Sequence, residues 1–300
     1  MSAGSTLIIK LGAMGDVLRT SSILNVLDGP VTWVTGQASR PLLETSPGIT
    51  ELLTLEAAPQ TLQGRSFDFV ACLDDEVEAC ALVDLVHWKD RTGSYLQDGK
   101  IHYTDSAASW YDMGLLSRFG KQRADELKRL NTRSFQEHLF AMFGKTFQGE
   151  EYVTGWKLHT APRRRIGIEM RADARWRWKR WIRFPELAKQ LQKQHCEVFF
   201  FEHRSDVRDF IDDVNTCGLV ITGDTLTMHI ALALQKRVIS VFGPTSAPEI
   251  HGYNRMTSVV SPIECISCYL RDCDKSPNCM DLIELTTLQS AVEQALKELA

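Results

Sequence analysis

The sequence predicts an α/β protein built of two doubly wound, Rossmann-like domains in tandem. Three observations carry this. Short apolar runs of strand length alternate with helical patterns along most of the chain, as in a parallel sheet joined by crossover helices. Two of these strands end in small-residue turns that open a helix, Gly12-Ala13-Met14-Gly15-Asp16 and Thr222-Gly223-Asp224-Thr225. Finally, 300 residues suit two domains of about 150, each long enough for its own core.

In order, Thr6 to Leu11 is an apolar strand, and Val17 to Leu27 has helical spacing after the first turn. Val31 to Thr35 is the next strand, and Gln37 to Thr45 a short helix stopped near Pro47-Gly48. Phe67 to Leu73 is a strand followed by Asp74, Asp75, Glu76 and Glu78. Neighbouring carboxylates point different ways, so this run reads as a solvated helix start rather than a metal site, acids being favoured in a first turn. Between Val86 and Met113 the periodicity dissolves into a segment rich in Gly, Tyr, His and charge. It is too long for a plain connection and reads as a binding loop for the acceptor, or as a variable insertion. Ser134 to Phe143 is an amphipathic helix, with Ser134 and Glu137 in capping-box spacing.

Gly149 to Pro162 loses periodicity and holds turn residues, which places the boundary between residues 1–155 and 156–300. The second domain restarts with a strand at 166–170, a helix at 184–194, a strand at 197–201 and a helix at 205–214. Gly218 to Ile221 is then a short buried strand, and Asp224 and Thr225 supply N-cap chemistry for an apolar helix carrying Met228, Ile230, Ala231, Leu232 and Leu234. Val238 to Phe242 returns as a strand and Gly243-Pro244-Thr245 turns the chain. In such a unit the helix N-terminus directs free N–H groups and a positive dipole end at the crevice above the sheet, where a diphosphate sits well. A last helix is expected from Thr286, with Thr286 and Gln289 in capping-box spacing.

Hydrophobic content of 44% and charged content of 24% are those of a soluble globular protein. A net charge of −4 gives no general attraction to nucleic acid or anionic lipid. No apolar run reaches the roughly 18 residues of a membrane span. The N-terminus, MSAGSTLIIKLG, runs into a strand without a basic flank and a long apolar segment, so the protein reads as cytoplasmic.

Three groups of residues stand out chemically. Arg163, Arg164, Arg165, Arg171, Arg175, Arg177, Lys179, Arg180 and Arg183 face only Glu169 and Asp173, with Trp176, Trp178 and Trp181 interleaved. Such a segment suits phosphates or nucleobases; confined to one loop at a strand end, it fits a small phosphorylated ligand better than nucleic acid. The alternative is a solvated basic loop with its tryptophans packed inward. Asp224 and His229 should both face the start of one helix. Cys265, Cys268, Cys273 and Cys279 fall within fifteen residues. In a cytoplasmic protein that density points to a structural zinc or iron or to reduced thiols rather than to disulfides. The scattered Cys72, Cys80, Cys196 and Cys217 read as inert core thiols.

These motifs resemble glycosyltransferase family 9, the bacterial heptosyltransferases, heptosyltransferase II in particular, and they do so in both halves and in the family's order. KLGAMGDVLRTSSIL is similar to the N-terminal signature whose aspartate, Asp16 here, is the proposed catalytic base; from the residues alone Asp16 is equally a helix cap. Lys179-Arg180-Trp181 resembles the Lys-x-Trp motif whose lysine contacts the donor diphosphate, with Ile182 where proline is usual. Asp224, Thr225, Leu226, His229 and Phe242-Gly243-Pro244-Thr245 resemble the donor-site motif, with Leu226 where the family has glycine. Glu202 stands where the family places an acid that holds the nucleoside ribose. The cysteine segment also has counterparts in the family.

The resemblance implies a GT-B architecture, two Rossmann-like domains facing across a cleft, with the acceptor on the first and the nucleotide sugar on the second. It implies an inverting, metal-independent glycosyltransferase that takes heptose from ADP-heptose. The acceptor would be a glycan or lipid-linked hydroxyl in lipopolysaccharide-type assembly, with peripheral contact at the inner membrane, or a protein hydroxyl. Asp16 would take the acceptor proton, and Lys179 with the N–H groups near Thr225 would stabilise the departing diphosphate. No cofactor is required, and a metal on the cysteines would be structural. The departures at Ile182 and Leu226 leave two rivals, a nucleotide-sugar-binding protein without transfer activity and a GT-B-like epimerase. By the resemblance, the C-terminal helix would pack on the first domain.

Overall fold

A computed structural model of the chain describes residues 4–172 and 174–299, without the side chains of Ala174 and Arg175. Asp173 and the Arg175 side chain, both named with the basic segment, lie outside the described residues, as do residues 1–3 of the N-terminal reading. The chain divides into two compact units, Met1–Trp156 and Lys157–Ala300.

The first unit holds β1 (Thr6–Ile9), α1 (Met14–Thr20), β2 (Val31–Thr35), α2 (Arg40–Leu43), β3 (Glu51–Thr54), α3 (Ala58–Leu62) and β4 (Ser66–Cys72). It continues with α4 (Val77–Val83), β5 (His87–Gln97), β6 (Lys100–Tyr103), α5 (Ala108–Tyr111), α6 (Gly120–Leu130) and α7 (Phe135–Met142). Its sheet runs β3-β2-β1-β4-β5-β6, parallel except for the antiparallel β5–β6 hairpin at the edge. Strands β1, β2 and the end of β4 are buried on both faces, which is why they read as continuous apolar runs. Leu7, Ile9, Val34, Val70, Cys72 and Cys80 lie in one core cluster.

Two sequence expectations change here. Residues 87–97, expected as loop, form the long strand β5. Its first four residues, His87, Trp88, Lys89 and Asp90, are exposed, and it changes partner midway, from parallel pairing with β4 to antiparallel pairing with β6, so no single apolar period marks it. Gly93 stands at that change with φ of 96°, and a Cβ there would lie 1.8 Å from the Cys72 carbonyl oxygen. The helix expected over 17–27 is α1 followed by a 3-10 turn at Ser21–Val26. The capping box of α7 is present in full, Ser134 and Glu137 each accepting from the other's backbone N–H.

The second unit holds β7 (Arg165–Ile168), α8 (Phe184–Lys193), β8 (Glu197–Phe200), α9 (Val207–Asn215), β9 (Leu219–Gly223), α10 (Leu226–Ala233), β10 (Arg237–Phe242), β11 (Met256–Val260) and α11 (Leu285–Glu298). Its sheet is all parallel in the order β11-β10-β9-β7-β8. The chain therefore has two Rossmann-like, parallel-sheet domains. Helix α11 begins at Leu285 with no side-chain cap on Glu284, rather than at a Thr286 capping box. Leu285, Leu288, Val292 and Ala295 bury its apolar face in the second unit's own core, where the resemblance had placed the helix on the first domain. No helix among the described residues is long and apolar enough to cross a membrane.

Candidate active site

In the second unit the registers of β7, β9 and β10 bring three strand ends to one edge of the sheet. Strand β9 ends at Gly223, and Thr225 is the N-cap of α10, in extended conformation and with no side-chain cap hydrogen bond. Its hydroxyl lies 3.0 Å from that of Thr222 instead. The cap expected of Asp224 and Thr225 is therefore not made; Met228 N–H donates to the Thr225 carbonyl at 3.1 Å. The N–H groups of Leu226 and Thr227 open the helix, with Leu226 half-buried at its first position.

The 3-10 turn Ala174–Lys179 comes over this point. A Cβ on Gly223 would sit 3.3 Å from the Lys179 carbonyl oxygen, so the glycine lets the turn approach. Lys179 Nζ donates to Asp224 Oδ2 at 3.0 Å and to the Asp224 carbonyl at 3.3 Å, and lies 5.0 Å from the centre of the Trp176 ring. Burial raises the Asp224 carboxyl, but the charges of Lys179 and His229 and hydrogen bonds from Lys179 and Thr245 outweigh it and hold the group below its ordinary range. Thr245 and His229 are buried. The Phe242-Gly243-Pro244-Thr245 turn thus meets Asp224 as one constellation. An ammonium has three donors; two serve Asp224, and the third suits an anionic oxygen placed over the α10 N-terminus.

Glu202 is exposed just past β8, with Arg171 and Arg204 in electrostatic reach. Sequence reasoning missed its neighbour Glu169. This carboxylate is buried at the end of β7 and bonded by Arg171 at 2.8 Å through both oxygens, and Thr227 donates to it at 3.2 Å. The available signal was a charge ending an apolar strand. The tryptophans divide: Trp181 is 1% exposed and donates to the Ile283 carbonyl, so it is core rather than a stacking face. Trp176 stands beside Lys179.

In the first unit Asp16 is at the third position of α1, which is capped by Ala13, so Asp16 is not the N-cap. It pairs with Arg19 at 2.9 Å; its own side chain is 37% exposed, whereas Arg19 is buried against the Phe135 ring. Behind it lies a second feature missed in the sequence. The register Ile9↔Cys72 sets Lys10 beside Asp74, and the two form a buried ion pair. Asp74 also accepts from the Leu11 N–H. Asp74 is therefore not part of a solvated helix start. Burial works against the Lys10 charge, but Asp74 and then Asp16 raise its pKa above the ordinary value.

The four clustered cysteines are free. Among the described residues no group of three or more His, Cys, Asp or Glu side chains is arranged to hold a metal ion. The expectation of a zinc or iron on Cys265, Cys268, Cys273 and Cys279 is corrected accordingly. Cys279 is buried against Gly243 and the Cys265 thiol is bonded by exposed Lys275; burial, then the charges of Cys268, Cys273 and Cys265, push the Cys279 thiol up to about 11. The segment instead docks on the turn below Asp224: Ser267 N–H donates to the Gly243 carbonyl at 3.1 Å and Tyr269 N–H to that of Pro244 at 2.8 Å.

Residues 206–277, which run from the N-cap of α9 to just short of Cys279, match the family model of glycosyltransferase family 9 (heptosyltransferase). Over these 72 of 300 residues the chain resembles that family. No curated protein sequence matches it. Solved structures share the fold. A family 9 glycosyl transferase from Veillonella parvula has a TM-score of 0.64 at 16% identity, covering 99% of this chain and 98% of that one. ADP-heptose LPS heptosyltransferase II of E. coli has 0.62 at 16%, covering 99% and 100%. The iron-containing dodecameric glycosyltransferase TibC of E. coli has 0.62 at 11%, covering 100% of this chain and 77% of that one. These neighbours place the two parallel-sheet domains in the GT-B class.

Proposed function

We propose that this chain is a family 9 glycosyltransferase, an inverting heptosyltransferase that takes the sugar from ADP-heptose and acts in cytoplasmic assembly of a lipopolysaccharide-type glycan. The observation that carries the donor reading is the Lys179–Asp224 pair at the N-terminus of α10, 3.0 Å apart and largely buried. A half-buried lysine held by a carboxylate at a helix N-terminus suits a diphosphate that gains charge as the glycosidic bond breaks. Solved neighbours support the choice of nucleotide: E. coli heptosyltransferase WaaC is described with ADP and with an ADP-2-deoxy-2-fluoro heptose.

In this reading Asp16 accepts the proton of the acceptor hydroxyl as its oxygen attacks the anomeric carbon. The new glycosidic bond forms as the carbon–oxygen bond to ADP breaks, and ADP leaves with the electron pair. Glu202 accepts from the ribose hydroxyls, and Thr225, Leu226 and His229 shape the donor pocket. The first domain takes the acceptor, with peripheral contact at the membrane that carries it. ADP release from ADP-heptose is the test, with lipopolysaccharide from a heptose-deficient strain as acceptor. Heptosylated lipopolysaccharide supports the reading. ADP-heptose that binds without turnover on any hydroxyl would leave a binding protein, and transfer to a polypeptide alone would make the acceptor a protein.

A further inference from the structure

The buried pair Lys10–Asp74 has no place in the reaction as described, yet it lies directly behind Asp16. Lys10 is 6% exposed and Asp74 7%. Removing two charges from water costs more than such a pair commonly returns, so a pair of this kind is weak as a stabilising device. What it does locally is specific. One carboxylate oxygen of Asp74 takes the Lys10 ammonium, and the other takes the Leu11 N–H. The Leu11 carbonyl is held from the opposite side by Gly36 N–H at 3.1 Å and by the Ser39 hydroxyl at 3.3 Å. Leu11 is thus pinned at both backbone groups. Two residues later Ala13 caps α1 and accepts from Val17 N–H at 3.0 Å, which fixes the turn presenting Asp16. Asp74 is itself anchored through its carbonyl, which accepts from Ser94 Oγ and the Cys72 thiol.

We infer that Lys10 and Asp74 are positioning residues for Asp16: Asp74 locks the Leu11 turn that aims the Asp16 carboxylate and holds the Lys10 ammonium away from it. The inference rests on the reading of Asp16 as base. The charged and titratable groups around this point are Arg19 on α1, Lys10 after β1, Cys72 at the end of β4, Asp74, Asp75, Glu76 and Glu78 before and at the start of α4, Cys80 on α4, and the buried Tyr111 of α5. Among them Asp74 is the group bonded to Lys10. Without Asp74, the Lys10 charge falls to Asp16 and weakens it as a base. Without Lys10, the Asp74 charge is uncompensated and makes Asp16 a stronger one.

The test compares the pH profiles of kcat/KM for ADP release, with ADP-heptose and lipopolysaccharide from a heptose-deficient strain, for Asp74→Asn, Lys10→Met and the wild type. The acid limb should move down by about one unit in Asp74→Asn and up by about one unit in Lys10→Met. The neutral double variant Lys10→Met/Asp74→Leu guards against misfolding, since apolar replacement of a whole buried pair is commonly tolerated. It should return the limb towards wild type while kcat stays roughly 10- to 100-fold down at unchanged donor KM, because the turn is no longer locked. Shifts of the same sign, no shift, or a double variant with wild-type kcat would overturn the inference while leaving Asp16 as base. Asp16→Asn, run alongside, separates the two: if it retains full rate, the base reading fails and takes this inference with it.

Discussion

Lys179 Nζ and Asp224 Oδ2 lie 3.0 Å apart although 45 residues separate them, with side chains only 16% and 18% exposed. Lys179→Ala should weaken ADP-heptose and also slow turnover, by roughly 100-fold or more, since the charge it balances grows as the donor bond breaks. Donor affinity from calorimetry and kcat from ADP release are read separately. Weaker binding at normal kcat would make Lys179 a docking residue, and leaving-group stabilisation would then come from elsewhere.

Asp16→Asn keeps the shape and the Arg19 contact but removes the base. Turnover should drop about 100-fold or more, in the range of general-base catalysis, with donor affinity nearly constant. Unchanged turnover would leave Asp16 a first-turn acid that only complements the helix dipole.

His138, 3% exposed on α7, faces Asn131 Oδ1 at 3.1 Å and Ser109 Oγ at 3.2 Å. Burial, then the Arg133 charge, pulls its pKa down to about 4. Unfolded, it titrates near the ordinary value of about 6.5. Between these values only the unfolded chain binds the proton, so stability should fall as pH drops from about 6.5 to about 4, by on the order of 3 kcal/mol. Denaturant unfolding at stepped pH measures this, and His138→Gln should flatten the slope over that window. An equal slope in the variant would assign the pH dependence to other groups.

A Cβ on Gly243 would lie 2.6 Å from Cys279 Sγ and 2.9 Å from Met280 Sδ. Gly243→Ala should therefore destabilise the second unit by about 1–3 kcal/mol through overpacking. Because the sulfur makes the shortest contact, Cys279→Ala should recover part of that loss in the double variant, a coupling that thermal unfolding resolves. Additive losses would mean the segment yields elsewhere.

Local patterns announced most of the architecture. The continuous apolar runs of β1, β9 and β10, the capping box of Ser134 and Glu137, and the small-residue turns before α1 and α10 are properties of a few adjacent residues, and adjacent residues are what a sequence displays. By resemblance it also named Asp16, Lys179, Asp224 and His229, of which the structure joins the last three around one helix terminus. Three-dimensional packing decided the rest. Lys10 and Asp74 are 64 residues apart and meet only because β1 and β4 are neighbours in register. Trp181 looked like a partner for a base until Ile283 took its N–H, 102 residues away. The four clustered cysteines, tempting as ligands on paper, form no metal-holding group among the described residues. The reason is general: whether a charge, a thiol or an indole is buried and paired depends on partners distant along the chain, and the register of the sheet chooses those partners.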